Sequence, residues 1–329
     1  MIGIFKQKSP ANIFLLLVFG VLIKLPMFLH PHVPVVKPED GLFYKGILDF
    51  LKPVAVNNPS IFPSIVFLLL FLQSVILTRF INSQRLMSKS TFLPGMAFLL
   101  ITSLFPEWNY FSAPLIVNSI LLLLLTSLFR IYNQPAAKGA IFNIGLALGI
   151  SAFIFFPSIT YIIWILLALA VMRPFRLNEW LICITGVATP YYFFAVYLIV
   201  TDQWNWNNLM PYFTISLPRI QQTLWLAGST FLLAAPFLIG GYYVQENLRK
   251  MLIQVRKGWS LLLLYLLGAI LIPFVNNSDT FENWVIVAIP FAAFHACAYF
   301  YSTIRIVPIL IFWLSVAFVL AYQYAGPGW

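Results

Sequence analysis

Apolar residues fall along this chain in eleven long runs, at 11–29, 60–78, 92–105, 113–131, 139–156, 159–172, 179–200, 223–243, 259–275, 284–300 and 304–324. A helix needs about 20 mostly apolar residues to cross the hydrocarbon core. Most of the runs reach or approach that length. The runs 92–105 and 159–172 are short, so they borrow flanking residues or stop part way across. The pattern predicts an all-α, polytopic transmembrane helix bundle of about 11 spans. The longest stretches between runs, 30–59 and 201–222, are too short for an independent domain. One integral membrane domain over 1–329 is therefore expected. The first run is too long for a signal-peptide core and lacks a small-residue cleavage site, so it reads as a retained span.

Composition supports lipid as the solvent. Of the residues, 61% are hydrophobic and 9% charged, against roughly 25% charged in soluble domains. Cys183 and Cys297 both lie inside apolar runs. They read as small buried hydrophobes, not as a disulfide or metal framework. The charges sort by loop. With the N-terminus inside, Lys6, Lys8, Arg79, Arg85, Lys89, Arg130, Lys138, Arg173, Arg176, Arg249, Lys250, Arg256, Lys257 and Arg305 fall in inside loops. Only Lys37, Lys45, Lys52 and Arg219 fall outside. Cytoplasmic loops carry such a Lys/Arg excess. The acids sort oppositely: Glu179 and Glu246 are inside, whereas Glu39, Asp40, Asp49, Glu107, Asp202, Asp279 and Glu282 are outside. Either outer loops tolerate acids, or an outer site uses carboxylates.

The first outer loop, HPHVPVVKPEDGLFYKGILDFLKPVAVNNPS, begins at His30. Pro31, Pro34 and Pro38 keep its first part extended, because each fixes its own φ and disfavours helix before it. From Asp40 to Lys52 the spacing predicts a short amphipathic surface helix. Leu42, Phe43, Ile47, Phe50 and Leu51 lie on its apolar side, and Asp40 is its expected N-cap. Glu39 and Asp40 are then either a cap with a solvated neighbour or a carboxylate pair facing a lipid-borne substrate. The His30-x-His32 pair is a weak metal signal, and no metal or other cofactor is expected. In the second long outer loop, Trp204, Trp206, Tyr212 and Phe213 suit an interface. Arg219 suits a phosphate or carboxylate, or pairs with Asp202.

Within the runs, Lys24 sits near the outer end of the first span and is expected to snorkel outward. His295 lies mid-span in the tenth run. No series of buried acids of the kind used by coupled transporters is present, and no Walker, dinucleotide, GxSxG, HExxH or CxxC motif occurs. The glycines of GLALGIS form a small-residue face for close helix packing. The FFPS end of the fifth run and Pro190 are expected to kink or end helices near the outer side.

The segments PGMAFLLITSLFPEWNYFSAPLIVNSILLLLLTSLFRIYN, FNIGLALGISAFIFFPS and MRPFRLNEWLICITGVATPYYFF, in that order, resemble a family of uncharacterised polytopic inner-membrane proteins of Bacteroidota. That resemblance implies the inner membrane of a two-membrane cell and no defined activity. The first span followed by PEDGLFYKGILDFL and many further spans is similar in architecture to GT-C-type glycosyltransferases. It lacks their DxD or ExD. The second resemblance implies a polyprenyl-phosphate sugar as donor and an acidic catalytic base. Here that base would be Asp40, beside Glu39.

The function expected is outer-face, lipid-linked glycosyl transfer or glycolipid handling. Asp40 or Glu39 would act as base, and Lys37, Lys45 and Arg219 would hold the donor phosphate. The alternative is a non-enzymatic membrane subunit that holds an envelope protein partner, and a transporter is third. Membrane lipid is an expected partner and nucleic acid is not. The charge bias places the N-terminus in the cytoplasm and the C-terminal Trp329 in the periplasm. A periplasm-active reporter fused after Trp329 should therefore be active. A reporter there that works only in the cytoplasm would overturn the orientation.

Overall fold

The computed structural model describes residues 2–7, 9–209, 214–217, 223–275 and 280–326. Among these the chain is helical, with two isolated bridges between extended segments, Asp40 with Phe155 and Ile215 with Val275. The principal helices are α1 (Ala11–Lys24), α2 (Leu42–Asn57), α3 (Ile61–Ser83), α4 (Leu93–Ile101), α5 (Ala113–Arg130), α6 (Lys138–Ile154), α7 (Tyr161–Met172), α8 (Leu177–Val200), α9 (Leu224–Asn247), α10 (Ile253–Leu271), α11 (Ala288–Tyr301) and α12 (Ile306–Ala325). Each of the eleven apolar runs holds one of them, and α2 lies in the 30–59 stretch between the first two runs.

Among the described residues, seven segments are long and apolar enough to cross a membrane: Ile61–Ser83, Ala113–Arg130, Leu177–Val200, Leu224–Lys250, Ile253–Phe274, Phe281–Tyr301 and Ile306–Tyr324. Ala11–Lys24, Lys138–Ile154 and Phe156–Met172 are apolar but shorter. The helix of the 92–105 run is shorter still. α4 has 9 residues, all buried, and spans only about 14 Å at 1.5 Å per residue. It packs among α1, α3 and α11 at the centre of the bundle. A helix apolar on every side is stable only when neighbours surround it.

Prolines set several ends. α4 and α5 carry Pro94 and Pro114 in their first turns, where the missing N–H costs nothing. α6 stops at Ile154, just before Phe156-Pro157, as the sequence implied. Pro190 does not end its helix. α8 runs through it to Val200, and Pro190 packs against Gly149 of α6. The neighbouring helix supports α8 where the ladder loses a bond.

The α6–α8 pair makes the most extensive helix–helix contact among the described residues. Gly145 lies against the Cys183 carbonyl, Gly149 against that of Val187, and Gly186 against that of Phe142. The GLALGIS glycines thus do the packing their spacing implied. Cys183 and Cys297 are free and buried, as small hydrophobes.

At the opposite end from the first outer loop, Arg173 closes a junction the sequence did not reveal. Its Nε and Nη2 donate to the two Glu179 oxygens, each at 2.9 Å. Its Nη1 donates to the Ile131 and Gln134 carbonyls at 2.7 Å. Ile131 caps α5, so the guanidinium also meets the negative end of that helix. Both side chains are buried. Breaking such a pair from one side leaves an uncompensated charge, at roughly 3–5 kcal/mol. Glu179→Gln should therefore lower the melting temperature in detergent more than Lys52→Gln does, since the Lys52–Asp49 pair is exposed. Equal effects would remove the clamp from the fold's stability.

Candidate functional site

Residues 31–37 lie outside any regular secondary structure, as their prolines disfavour helix there. The chain then turns sharply. The Asp40 N–H donates to the Lys37 carbonyl at 3.1 Å, and the Lys37 N–H donates to Asp40 Oδ2 at 2.7 Å. Asp40 therefore closes the turn before the helix and does not cap it. The N-cap is Gly41, which makes no side-chain cap bond. α2 starts at Leu42 and ends at Asn57, later at both ends than the 40–52 expected. Tyr44 and Leu48 face the bundle, while Phe43 and Phe50 are exposed.

Two main-chain bonds tie this turn to the broken end of α6. Gly41 N–H donates to the Ile154 carbonyl at 2.9 Å, and Phe156 N–H donates to the Glu39 carbonyl at 3.2 Å. A Cβ at position 41 would overlap the Phe153 carbonyl, so only glycine permits the approach. The Tyr44 hydroxyl adds a bond to the Phe111 carbonyl at 2.8 Å.

Four carboxylates from three distant segments converge around Lys37. Glu39 is 1% exposed. Its Oε1 accepts from Asn283 Nδ2 at 3.3 Å, and its Oε2 has no hydrogen-bond partner among the described residues. Glu282 pairs with Lys37 Nζ at 2.7 Å, and Lys37 also donates to Thr280 Oγ1 at 3.1 Å. Glu107 accepts the Phe281 N–H, and Trp108 Nε1 donates to the Phe281 carbonyl at 3.0 Å. Sequence reasoning placed Glu107 and Glu282 outside but not in the site. The signal was the segregation of acids, which does not say which of them meet.

Burial pushes the Asp40 carboxyl up to about 7, and the Glu39 charge adds to this. The Lys37 N–H and ammonium oppose it. Burial likewise raises Glu107 against the Phe281 N–H, and raises Tyr110 to about 12. Burial and the Lys37 charge lower His32, whose ring stacks on Tyr110 with centroids 4.0 Å apart. A cleft of about 40 Å³ opens here, lined by His32, Lys37, Asp40, Tyr44, Glu282 and Asn283 among others. That is room for a few waters.

Of the residues expected to form the site, Asp40 and Lys37 line the cleft and Glu39 lies buried beside them. Lys45 is half-buried on α2 and away from the cleft lining. Arg219, with Tyr212 and Phe213, lies outside the described residues. Among the described residues, no group of three His, Cys, Asp or Glu side chains could hold a metal.

Lys24 departs from expectation. It does not snorkel outward but points inward, 1% exposed. Its Nζ donates to Thr102 Oγ1 at 3.0 Å, Ser103 Oγ at 3.1 Å and Asn109 Oδ1 at 2.6 Å. Thr102 and Ser103 spend their own protons on α4 carbonyls, those of Phe98 and Leu99. Both hydroxyls must therefore accept from Lys24. Three fixed acceptors match the three N–H donors of an ammonium, and the C-terminal end of α4 offers a negative dipole. His295 Nε2 bonds the Leu233 carbonyl at 2.8 Å and lies buried between helices.

The fold is that of a multi-pass helical membrane protein. Comparison with family models, with curated proteins and with solved structures returned no match.

The raised Asp40 pKa carries a stability consequence. The folded state binds this proton more tightly than the unfolded chain, whose Asp titrates near 3.8. Stability from this group is greatest below that value and falls as pH rises through about 7. Asp40→Asn keeps an acceptor for the Lys37 N–H and removes the titration. Its melting temperature should gain on wild type between pH 5 and pH 8. A difference that is constant with pH would show that Asp40 is not held near neutral.

Proposed function

We propose that the protein is an outer-face transferase of the inner membrane, acting on a lipid-linked sugar in the manner of GT-C-type enzymes. The observation that carries this reading is Asp40. It is a buried carboxyl held near neutral pKa on the wall of a cleft, at the junction of an extended loop and a helix. A general base works best with a pKa near the operating pH. In this reading the eleven apolar runs all serve as membrane segments, with the N-terminus cytoplasmic, the C-terminus periplasmic and α2 along the outer bilayer face. Phe43 and Phe50 would then meet lipid. The resemblance to inner-membrane proteins of Bacteroidota supports the same location.

Asp40 would accept the proton of an acceptor hydroxyl, and Glu39 would keep the Asp40 pKa high. Lys37 would exchange Glu282 for the donor phosphate, joined by Lys45 and Arg219. The cleft admits water but not a sugar ring, so residues 31–37 must swing aside for a polyprenyl-phosphate sugar. The same small volume favours a second reading. There the cluster is only a clasp that shapes a non-enzymatic membrane subunit for an envelope protein partner.

Complementation of a deletion strain separates the two. As base, Asp40→Asn should lower activity roughly 100-fold or more at normal membrane abundance. Lys45→Gln should weaken only substrate binding. In membrane vesicles, wild-type transfer should rise with pH through about 7, and Glu39→Gln should shift that rise to lower pH by removing a like charge. Full complementation by Asp40→Asn and by the Glu39→Gln/Asp40→Asn double variant would dismiss the enzyme and leave the clasp.

A further inference from the structure

At the end of the bundle that carries the Lys/Arg-rich loops, α9 and α10 are joined by a short connection yet diverge. α9 packs chiefly on α11, and α10 on α7 and α11. Between them lies a groove of about 520 Å³, walled by Leu238, Gly241 and Gln245 on one side and Trp259, Ser260 and Leu263 on the other. Leu238 and Leu263 are exposed, so the groove opens on the outside of the bundle. Its floor is aromatic: Trp259 packs on Phe294 with centroids 5.0 Å apart, and the Trp259 Nε1 is already bonded to the Leu86 carbonyl. The floor therefore offers a ligand apolar surface and no free donor.

Two adjacent glycines shape this wall in opposite ways. Gly240 lies against the Phe294 carbonyl and lets α9 sit close on α11. A Cβ on Gly241 would meet nothing within 4 Å, so its missing side chain is empty groove. Both walls run toward basic residues. On one side Arg249 and Lys250 lie in the 3-10 turn that directly follows α9, and on the other Leu263, Ser260 and Arg256 recur at helical spacing on α10. Arg249, Lys250 and Arg256 are exposed, and none has a carboxylate at ion-pair distance among the described residues. Lys257 sits over the Tyr132 ring at 5.3 Å. Glu246 is the acid near this rim.

We infer that the groove holds an acyl chain of an anionic phospholipid, with its phosphate at the rim formed by Arg249, Lys250 and Arg256. A volume of 300–1,000 Å³ is roughly that of a lipid- or drug-sized site. Basic residues beside an apolar crevice between membrane helices are the pattern that recognises anionic headgroups. Charge selects the lipid. A zwitterionic headgroup would bring a cation to a rim already carrying three.

Native mass spectrometry of the purified full chain in detergent tests this, with dioleoyl phosphatidylglycerol or dioleoyl phosphatidylcholine added. Wild type should retain phosphatidylglycerol roughly tenfold or more over phosphatidylcholine. Gly241→Leu, whose added Cβ meets no protein atom within 4 Å and whose side chain extends into the groove, should carry one fewer phosphatidylglycerol at an unchanged melting temperature. The Arg249→Gln/Lys250→Gln/Arg256→Gln variant should lose the preference. Equal retention of the two lipids by wild type would overturn the site, as would unchanged phosphatidylglycerol binding in the basic-rim variant. Unchanged binding in a folded Gly241→Leu protein would do the same. Should Gly241→Leu fail to fold, the rim variant decides alone.

Discussion

A peptide group that leaves helical geometry inside a bilayer has no water to bond, and each such group left unmet costs several kcal/mol. This chain breaks its helices repeatedly on one side, after α4, after α6 and before α11. Every break frees N–H and carbonyl groups that need partners. The answers come from neighbours far away in sequence. The end of α6 bonds the Glu39–Gly41 turn. The segment before α11 is met by Glu107 and Trp108. The end of α4 gathers hydroxyls that Lys24 then satisfies. The cap at this end of the bundle is built from this repair, and the candidate site lies within it.

That origin explains why carboxylates crowd there. A carboxylate is a strong acceptor for an orphan N–H, and Asp40 and Glu107 each take one, from Lys37 and Phe281. Glu282 sits next to Phe281 and reaches Lys37. Bonding the main chain in this way draws the acids out of water and toward each other. Both effects favour the protonated form. A proton-accepting group near neutral pKa thus arises as a by-product of closing the helix ends. It is available for chemistry wherever a substrate hydroxyl can reach it.

Legibility in the sequence followed the range of the interaction. Apolar runs report burial, a local property, and each run holds a helix. The non-helical 31–37 stretch and the helix after it were legible because proline and the 3.6-residue period act locally. The GLALGIS interface was legible because small residues at i,i+4 have one common use in membranes. Asp40 was misread as a cap, because capping propensity scores a residue against its own helix. Its actual acceptor role is toward Lys37, three residues back, fixed by the bridge to Phe155. Lys24 was misread for a related reason. Snorkelling assumes lipid on all sides, and only the fold reveals Thr102, Ser103 and Asn109 waiting inside. Glu107, Glu282 and the Arg173–Glu179 clamp depend on segments far apart in sequence that meet only in three dimensions.

The two lysines near this end of the bundle show how surroundings decide what one residue type does. Lys24 has three neutral acceptors and a helix end, so its charge is met by dipoles and its geometry is complete. Lys37 has a carboxylate partner and a hydroxyl, and lies on the wall of a cleft beside further acids. The first is committed to holding α1 against the end of α4. The second pairs with Glu282 at the wall of a cleft, where its ammonium also borders the space a substrate anion would enter. A site that must admit a charged substrate needs such a residue, whereas a site that only staples helices is better served by the Lys24 arrangement. Both kinds occur at this one end of the bundle, and only the Lys37 kind faces the cleft.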